Sequence, residues 1–253
     1  MKIFVLSKDT LLIYGLVVLV LVGMFTVGTM SEAVITNATV SQDLPIYRVK
    51  TNEKKVAITF DAAWGDEDTD EIISVLKENN APSTFFVVGG FMDRCEKSVK
   101  KLHIAGHEIA NHSDTHLHMS GLDVESTVKE LEGCETKIEK ITKGSTKLFR
   151  PPYGDYDKQL VTNARAKGFE VIQWDVDSLD WKDLSAEEIV SRVEGRVKEG
   201  SIVLFHVGAK NTPQALKILL PRLKEKGYSF VKVSELIHKE NYSITAEGEQ
   251  IKY

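Results

Sequence analysis

Residues 55–88 read KVAITFDAAWGDEDTDEIISVLKENNAPSTFFVV, and this stretch decides the fold. It begins with an apolar run, Val56–Phe60, and ends with a second one, Thr84–Val88. Short apolar runs rich in β-branched and aromatic residues are typical of buried strands. Between them, residues 67–79 carry apolar side chains at helical spacing. The stretch therefore predicts a strand, a helix and a second strand, which is the connection that parallel strands need.

The same alternation of strands and helices continues along the chain. Further strands are predicted at 108–111, 148–149, 171–174, 202–205 and 229–231. Further helices are predicted at 93–105, 123–142, 157–167, 185–198 and 213–226, several of them ending at a glycine. This pattern predicts an α/β fold, namely a slightly short, distorted (β/α) barrel of about seven parallel strands. A doubly wound open sheet is the structural alternative.

The N-terminal residues predict a membrane segment. No charge lies between Asp9 and Glu32, and the 22 residues in this interval would span roughly 33 Å as a helix, about the thickness of a bilayer core. Lys2 and Lys8 precede the segment, so the positive-inside rule places the rest of the chain outside the cytosol. We expect residues 1–30 to form a single transmembrane helix that anchors the protein. A cleaved signal peptide is the alternative.

Three segments are expected after the anchor. Residues 31–53 are polar and irregular and predict a tether. Residues 54–240 carry the strands and helices of one domain, without an internal repeat or linker, and residues 241–253 form a C-terminal tail.

Composition excludes several classes of protein. The 253 residues are 42% hydrophobic and 27% charged, which excludes a disordered or low-complexity chain. The net charge of −5 is opposite to the basic surface that a nucleic acid requires. The two cysteines, Cys95 and Cys134, are too few for a disulfide framework, so we expect free thiols, with a single bridge as the alternative. Nothing in the sequence indicates a protein partner.

Polar side chains collect where the predicted strands end. Asp61, His112, Arg150 and His206 each follow an apolar run, and the acidic stretch 175–180 follows another. The carboxyl ends of the strands form the functional edge of barrels and open α/β sheets alike. Any one of these residues alone fits a helix cap or a turn, but their occurrence together indicates a catalytic or binding site.

Two of the histidines have the spacing of metal ligands. His112 and His116 lie four residues apart, so both imidazoles can face one cation. Neutral imidazoles and carboxylates suit zinc or another divalent first-row metal. The motif contains no third ligand, so a carboxylate from elsewhere or water must complete the coordination shell.

Five segments together resemble the polysaccharide deacetylases, the NodB-homology domain of carbohydrate esterase family four. In chain order the segments are Thr59–Asp61, His112–His116, Arg150–Tyr153, Asp177–Trp181 and Leu204–His206. The resemblance extends over roughly residues 54–236, and five motifs in the right order are far more specific than any one of them. The N-terminal anchor, the variant first motif and the short length most resemble the sporulation-associated branch of endospore-forming bacteria.

The resemblance implies roles for four catalytic residues. Asp61 matches the catalytic base that takes a proton from water, and Arg150 matches the arginine that orients this base. His206 matches the acid that protonates the departing amine, and Asp180 the carboxylate that tunes it.

The resemblance also implies roles for metal and substrate contacts. His112 and His116 match the metal-binding histidines. The backbone N–H of Tyr153 would face the developing oxyanion. Leu204 would line the site of the acetyl methyl group, and Trp181 would form the apolar wall of the pocket.

The first motif departs from the family pattern at one position. The family usually carries Asp there as third metal ligand, whereas this chain has Ala62. Asp66 is a possible substitute, since Gly65 before it permits a tight turn, but it also suits the cap of the following helix. Otherwise two histidines and water hold the metal with weaker affinity, or the domain binds glycan without hydrolysing it.

The expected function is metal-dependent removal of N-acetyl groups from amino sugars of the bacterial cell wall or spore peptidoglycan. One alternative is a membrane-tethered, catalytically weak or inactive glycan-binding protein, which Ala62 and the aromatic residues Trp64, Tyr153 and Trp181 favour. Another is a metal-dependent hydrolase of a different acetylated compound.

Overall fold

The computed structural model describes residues 43–253, which form a curled parallel sheet with helices packed against it. The order of the main strands is β6-β5-β4-β3-β2-β8-β7, and β9 pairs with β2. All of these pairs are parallel. The strands are β2 (Lys55–Ala62), β3 (Thr84–Val87), β4 (Glu108–Asn111), β5 (Leu148–Phe149), β6 (Glu170–Val171), β7 (Val176–Asp177), β8 (Ile202–His206) and β9 (Ser229–Phe230).

Eight α-helices of the described residues connect or flank these strands. They are α1 (Thr69–Glu78), α2 (Gly89–Arg94), α3 (Glu96–Ile104), α4 (Val124–Thr142), α5 (Lys158–Ala166), α6 (Ala186–Glu194), α7 (Thr212–Glu225) and α8 (Val233–Leu236). Single 3-10 turns occupy Pro152–Gly154 and Asp180–Lys182. Ser185 and Glu188 form a capping box at the start of α6, as the Ser-x-x-Glu pattern indicates.

Strand β2 runs through the centre of the sheet. Every residue in it except Lys55 is buried, because β3 and β8 cover both edges and helices cover its faces. Phe60 stacks on Phe85 of β3 with ring centroids 4.6 Å apart and contacts Phe205 of β8 at 5.8 Å. A continuous apolar run is what a strand buried on both faces requires.

The sheet does not close into a complete barrel. No ladder of the described residues joins β6 to β7, which are the two ends of the strand order. Ile46 lies in the gap: its N–H donates to the Val171 carbonyl at 2.8 Å, and its carbonyl accepts from Gln173 N–H at 2.7 Å. Ile46 is fully buried there. The predicted barrel is therefore an open, curled parallel sheet, and a segment outside the strand–helix alternation covers part of its opening.

The predicted tether and tail contribute to the fold. Residues of both segments form a small second sheet in the order β1-β11-β10, with β1 at Arg48–Val49, β10 at Tyr242–Ile244 and β11 at Glu249–Lys252. Arg48 and Glu249 also form a salt bridge at 2.7 Å. The folded unit thus extends beyond the boundaries predicted at residues 54 and 240. The alternation of strands and helices missed these segments because their pairing partners are about 200 residues apart in sequence.

Two expectations concern residues outside this sheet. No helix within residues 43–253 is long and apolar enough to cross a membrane. The predicted anchor, residues 1–30, lies outside the described part of the chain, so it remains a prediction. Cys95 and Cys134 are both free thiols, as expected.

Candidate active site

Asp61 and Arg150 form a buried ion pair at the carboxyl ends of β2 and β5. Arg150 Nη1 donates to Asp61 Oδ1 at 2.7 Å, and Nη2 donates to Thr59 Oγ1 at 3.0 Å. The guanidinium also lies 4.0 Å from the centre of the Phe86 ring, which fixes its plane. Burial opposes ionisation of Asp61, but the positive charge of Arg150 and its hydrogen bond outweigh this effect, so the pKa of this carboxyl lies below its usual value. Asp61 is therefore an ionised base whose orientation Arg150 holds.

His206 and Asp180 form a second acid–base pair beside the first. His206 is the residue of β8 that pairs with Asp61 across the two strands. Asp180 Oδ1 accepts from His206 Nδ1 at 2.8 Å, while Oδ2 accepts from His206 N–H at 2.8 Å and from Thr212 Oγ1 at 2.6 Å. Burial alone would lower the pKa of His206, but its hydrogen bond to Asp180 and the charge of that carboxylate raise it above the usual value. His206 therefore carries a proton more readily than a free imidazole does.

His112 and His116 lie next to this pair on the loop that follows β4. Their ring centroids are 5.0 Å apart. His112 Nδ1 lies 2.8 Å from the carbonyl oxygen of Arg150, and since a carbonyl only accepts, Nδ1 carries the proton in this bond. Burial outweighs the nearby Asp61 and lowers the pKa of His112, and burial together with His112 lowers the pKa of His116 to about 4. Both imidazoles are therefore neutral at physiological pH.

The loop that carries these histidines is fixed by a buried glutamate of α4. Glu130 Oε2 accepts from the backbone N–H groups of Asp114 and Thr115 at 3.0 and 2.8 Å. Ser113 and His116 adopt left-handed backbone conformations, with φ of 68° and 62°. The tight turn, rather than a helix, is what brings the two rings together at a spacing of four residues.

Tyr153 forms the opposite rim of the site. It has a left-handed backbone (φ 60°, ψ 5°) in the turn after Pro151, and its side chain is 60% exposed. Its ring lies 4.5 Å from His116 and stacks on His118 at 4.2 Å. His118 in turn contacts Asp155 at 3.1 Å. The spacing of His118 from Tyr153 in sequence gives no sign of this stack.

One cavity of about 450 Å³ is lined by Asp61, His206, His112, His116 and Tyr153, but not by Arg150 or Asp180. The lining residues are Asp61, Trp64, His112, His116, Tyr153, Trp174, Asp177, Trp181, Leu204 and His206. Leu204 is buried, whereas Trp181 is half-exposed at the mouth. Arg150 and Asp180 lie outside the cavity lining and contact Asp61 and His206, respectively.

Comparison with known proteins identifies the family. Residues 48–172 match the polysaccharide deacetylase family. A peptidoglycan-N-acetylglucosamine deacetylase of Bacillus cereus is 36% identical over 196 residues, which cover 76% of this chain and 92% of the relative. The chain belongs to the polysaccharide deacetylase family. The predicted resemblance is therefore confirmed.

Two further proteins similar to this chain are an uncharacterized protein and a pseudoenzyme. The uncharacterized protein YlxY of Bacillus subtilis is 30% identical, and the match covers 78% of this chain but 61% of that relative's length. The crystal structure of BA3943 of Bacillus anthracis, a carbohydrate esterase family 4 pseudoenzyme, superposes with a TM-score of 0.75 at 32% identity, covering 78% of this chain and 70% of that one. A mutant of BA3943 with restored enzymatic activity superposes equally well, at 33% identity.

The deacetylase site brings the two predicted metal ligands, His112 and His116, together, but the first motif offers no third one. His112 Nε2, which is unprotonated in the neutral ring, faces Asp61 Oδ2 at 3.4 Å. Two acceptors opposed at this distance repel each other unless a proton or a cation lies between them. Position 62 carries a fully buried methyl group, and the described residues contain no group of three His, Cys, Asp or Glu side chains arranged for a metal. The two neutral imidazoles thus fit a divalent cation, but position 62 supplies no third ligand for it.

Asp66 is not directed to the histidines. Its Oδ2 accepts a hydrogen bond from Ser98 Oγ of α3 at 2.6 Å, and it does not line the cavity. The structure therefore does not support Asp66 as the third ligand. The alternative role, a cap of α1, is also not observed, since Asp68 occupies the N-cap position.

The sequence predicts no role for the cavity residues Trp174 and Asp177, and it indicates Trp64 only for the glycan-binding alternative. Trp174 lies 5.5 Å from the Arg150 guanidinium, and Trp64 stacks on His206 with ring centroids 5.4 Å apart. Asp177 accepts from Leu179 N–H at 2.9 Å, and burial raises the pKa of its carboxyl. Trp174 is the last residue of a predicted strand, and Trp64 and Asp177 follow predicted strands within four residues, so their position at a strand end was the available signal.

Proposed function

We propose that the chain hydrolyses N-acetyl groups of amino sugars in bacterial cell-wall or spore peptidoglycan and releases acetate. The observation that carries this proposal is the convergence on one cavity of a base, Asp61, whose pKa is lowered, and an acid, His206, whose pKa is raised by its bond to Asp180. Amide hydrolysis needs both, because water must lose a proton and the amine must gain one. The name of the Bacillus cereus relative supports peptidoglycan as the substrate class.

Four residues of the chain have separate roles in the proposed reaction. Asp61 takes a proton from the attacking water, whose oxygen bonds to the acetyl carbon. The backbone N–H of Tyr153 donates to the developing oxyanion, and Leu204 lines the space for the methyl group. The C–N bond then breaks as His206 gives its proton to the nitrogen. The products are acetate and a free amino sugar.

His112 and His116 are the residues that would hold a divalent metal ion, zinc or another first-row metal. Such an ion, when bound, polarises the acetyl carbonyl and lowers the pKa of water. Because Ala62 supplies no third ligand, we expect weaker affinity than a three-ligand site provides.

Acetate release from purified peptidoglycan, with and without chelator, tests the proposal. We expect full-length wild type to release acetate, chelator to suppress it, and His112→Ala or His116→Ala to abolish binding of the divalent ion. Metal analysis of the same samples measures that binding separately from turnover. If wild type loaded with zinc, manganese or cobalt releases no acetate from peptidoglycan or from a chitin oligomer, the proposed hydrolysis is wrong.

The second candidate function is glycan binding with little or no turnover. It is favoured by Ala62 and by the structural similarity to a family pseudoenzyme whose mutant regains activity. Ala62→Asp separates the two functions. Under the first, wild type is already active and Ala62→Asp mainly raises metal affinity. Under the second, wild type binds a chitin oligomer without acetate release, and Ala62→Asp turns activity on.

The place of action is part of the proposal. We propose that residues 1–30 anchor the chain with its N-terminus inside and its deacetylase domain outside the cytosol, in a sporulating bacterium. Membrane fractionation of the full-length chain against a variant that starts at Ser41 measures the attachment. Recovery of a soluble form trimmed at its N-terminus would indicate a cleaved signal peptide instead.

A further inference from the structure

Trp64 lies against the proposed proton donor. It follows the first motif by three residues, and its indole stacks on the His206 imidazole with ring centroids 5.4 Å apart and planes inclined by 19°. The imidazole is not free to rotate, because Asp180 accepts hydrogen bonds from both Nδ1 and the backbone N–H of His206. Asp180 thus fixes the edge of the ring and Trp64 covers its face.

The backbone at Gly208 approaches the Trp64–Gly65 segment closely. Gly208, two residues after His206, has φ of +85°, and a Cβ there would lie 3.1 Å from Trp64 Cδ1 and 3.0 Å from the Gly65 carbonyl oxygen. Only glycine permits both the conformation and the approach. Gly208 N–H donates to both carboxylate oxygens of Asp68, at 2.9 and 3.0 Å. The turn after β8 is therefore fastened to the loop that carries Trp64.

Trp64 also has surface left for a ligand. It lines the cavity, and 48% of it is exposed. Tyr153 and Trp181, which line the same cavity, are 60% and 52% exposed. Large exposed aromatic rings that converge on one cavity present flat apolar faces, which match the C–H faces of pyranose rings.

We propose that Trp64 has two roles: it positions His206 through the stack, and it contacts a sugar ring of the glycan with its exposed surface. This inference rests on the proposed function, since it concerns the acid and the glycan of that same site. Asp68 is a positioning residue of the same kind, but it acts only through Gly208 and does not line the cavity. Sugar binding and the placement of the proton donor are thereby coupled through one side chain.

Three variants of the full-length protein separate these roles. Trp64→Phe keeps a ring over His206, Trp64→Ala removes it, and Asp68→Ala loosens the turn without touching the cavity. Trp64 is half-exposed, so its removal leaves no closed cavity in the core. Ile104→Ala, at an 83% exposed position at the end of α3, is the control for loss of a large exposed side chain.

The measurements are kcat and KM for acetate release and the affinity for an N-acetylglucosamine tetramer. Since small misplacement of a reacting group is costly, Trp64→Ala is expected to lower kcat by about tenfold or more, and loss of one aromatic contact to weaken tetramer binding by about 3- to 10-fold. Asp68→Ala is expected to lower kcat with KM and tetramer binding unchanged. Trp64→Phe should stay within a factor of about three of wild type in both.

A readout independent of turnover keeps the inference testable if wild type releases no acetate. The ring protons of His206 should lie upfield in the NMR spectrum of wild type and Trp64→Phe, owing to the stacked ring, and move downfield in Trp64→Ala. Tetramer binding is measured on the same inactive samples. Unchanged His206 resonances, or unchanged tetramer binding, in Trp64→Ala would overturn the inference. If wild type is active while Trp64→Ala matches it in kcat and KM, the inference fails and the proposed function stands.

Discussion

Replacing Asp180 by Asn changes the chemistry of His206 while leaving its position intact. Asp180 Oδ2 accepts from His206 N–H and Thr212 Oγ1, and Oδ1 accepts from His206 Nδ1. An asparagine can keep the first two bonds with its single oxygen. Its NH₂ group then faces His206 Nδ1, so the ring must become an acceptor at Nδ1 and carry its proton on Nε2. The protonated ring, with N–H groups on both sides, no longer fits.

The size of the effect follows from the lost bond. A hydrogen bond to a charged group contributes about 1.5–3 kcal/mol to stability, which corresponds to roughly 10- to 160-fold in the ratio of protonated to neutral His206. The wrong tautomer adds to this loss, so we expect acetate release to fall by roughly 10²–10⁴-fold. Because Asp180 raises the pKa of His206 in the wild type, the variant should also lose activity at lower pH than wild type as the pH rises.

The assay combines NMR of the His206 ring nitrogens with acetate release and thermal unfolding. We expect the proton of the neutral ring to move from Nδ1 to Nε2, with a melting temperature near that of wild type since the two bonds to Oδ2 survive. Asp183→Asn, an exposed aspartate of the same loop, is the matched control and should behave as wild type. A variant whose His206 keeps the Nδ1 proton and titrates as in wild type would refute the assigned role of Asp180.

Three other perturbations test the site and the fold. Asp61→Asn should lower acetate release by roughly 10²-fold or more, and because it leaves the buried Arg150 with a neutral partner it should also lower the free energy of unfolding, by about 1–3 kcal/mol; full activity would exclude Asp61 as the base. Burial lowers the pKa of His107 to about 4, whereas a histidine in the unfolded chain has a pKa of about 6.5. Between pH 4 and 6.5 the unfolded state therefore binds more protons at this residue than the folded state does. Stability present above pH 6.5 is therefore lost as the pH falls toward 4, and denaturant titrations of His107→Gln should show a flatter pH dependence than wild type. Ile46→Ala should lower the free energy of unfolding by about 2–5 kcal/mol in the same assay, and a chain that begins at Lys54 should not fold stably. An unchanged unfolding midpoint for both variants would mean that the segment at Ile46 does not stabilise the domain.

The sequence alone determined which residues end the strands. The apolar runs of β2 and β8 are continuous because both strands are buried on two faces. Each strand can therefore be predicted from its own few residues. Since parallel strands end at a common edge, the residues at those strand ends, such as Asp61 and His206, had to meet, and the order of the five motifs matched a known family. The alternation of strands and helices likewise predicted a parallel α/β fold.

Only the tertiary structure decided where side chains between these motifs point. Asp66 is four residues from Ala62 in sequence, yet the packing of α3 against its loop places Ser98 within hydrogen-bond distance and turns the carboxylate from the histidines. The stack of Trp64 on His206 depends on the pairing of β2 with β8, whose residues are more than 140 apart. Ile46 entered the gap between β6 and β7 because a curled sheet that does not close leaves backbone groups of its edge strand to be paired, and sequence spacing carries no information on which distant segment pairs with them.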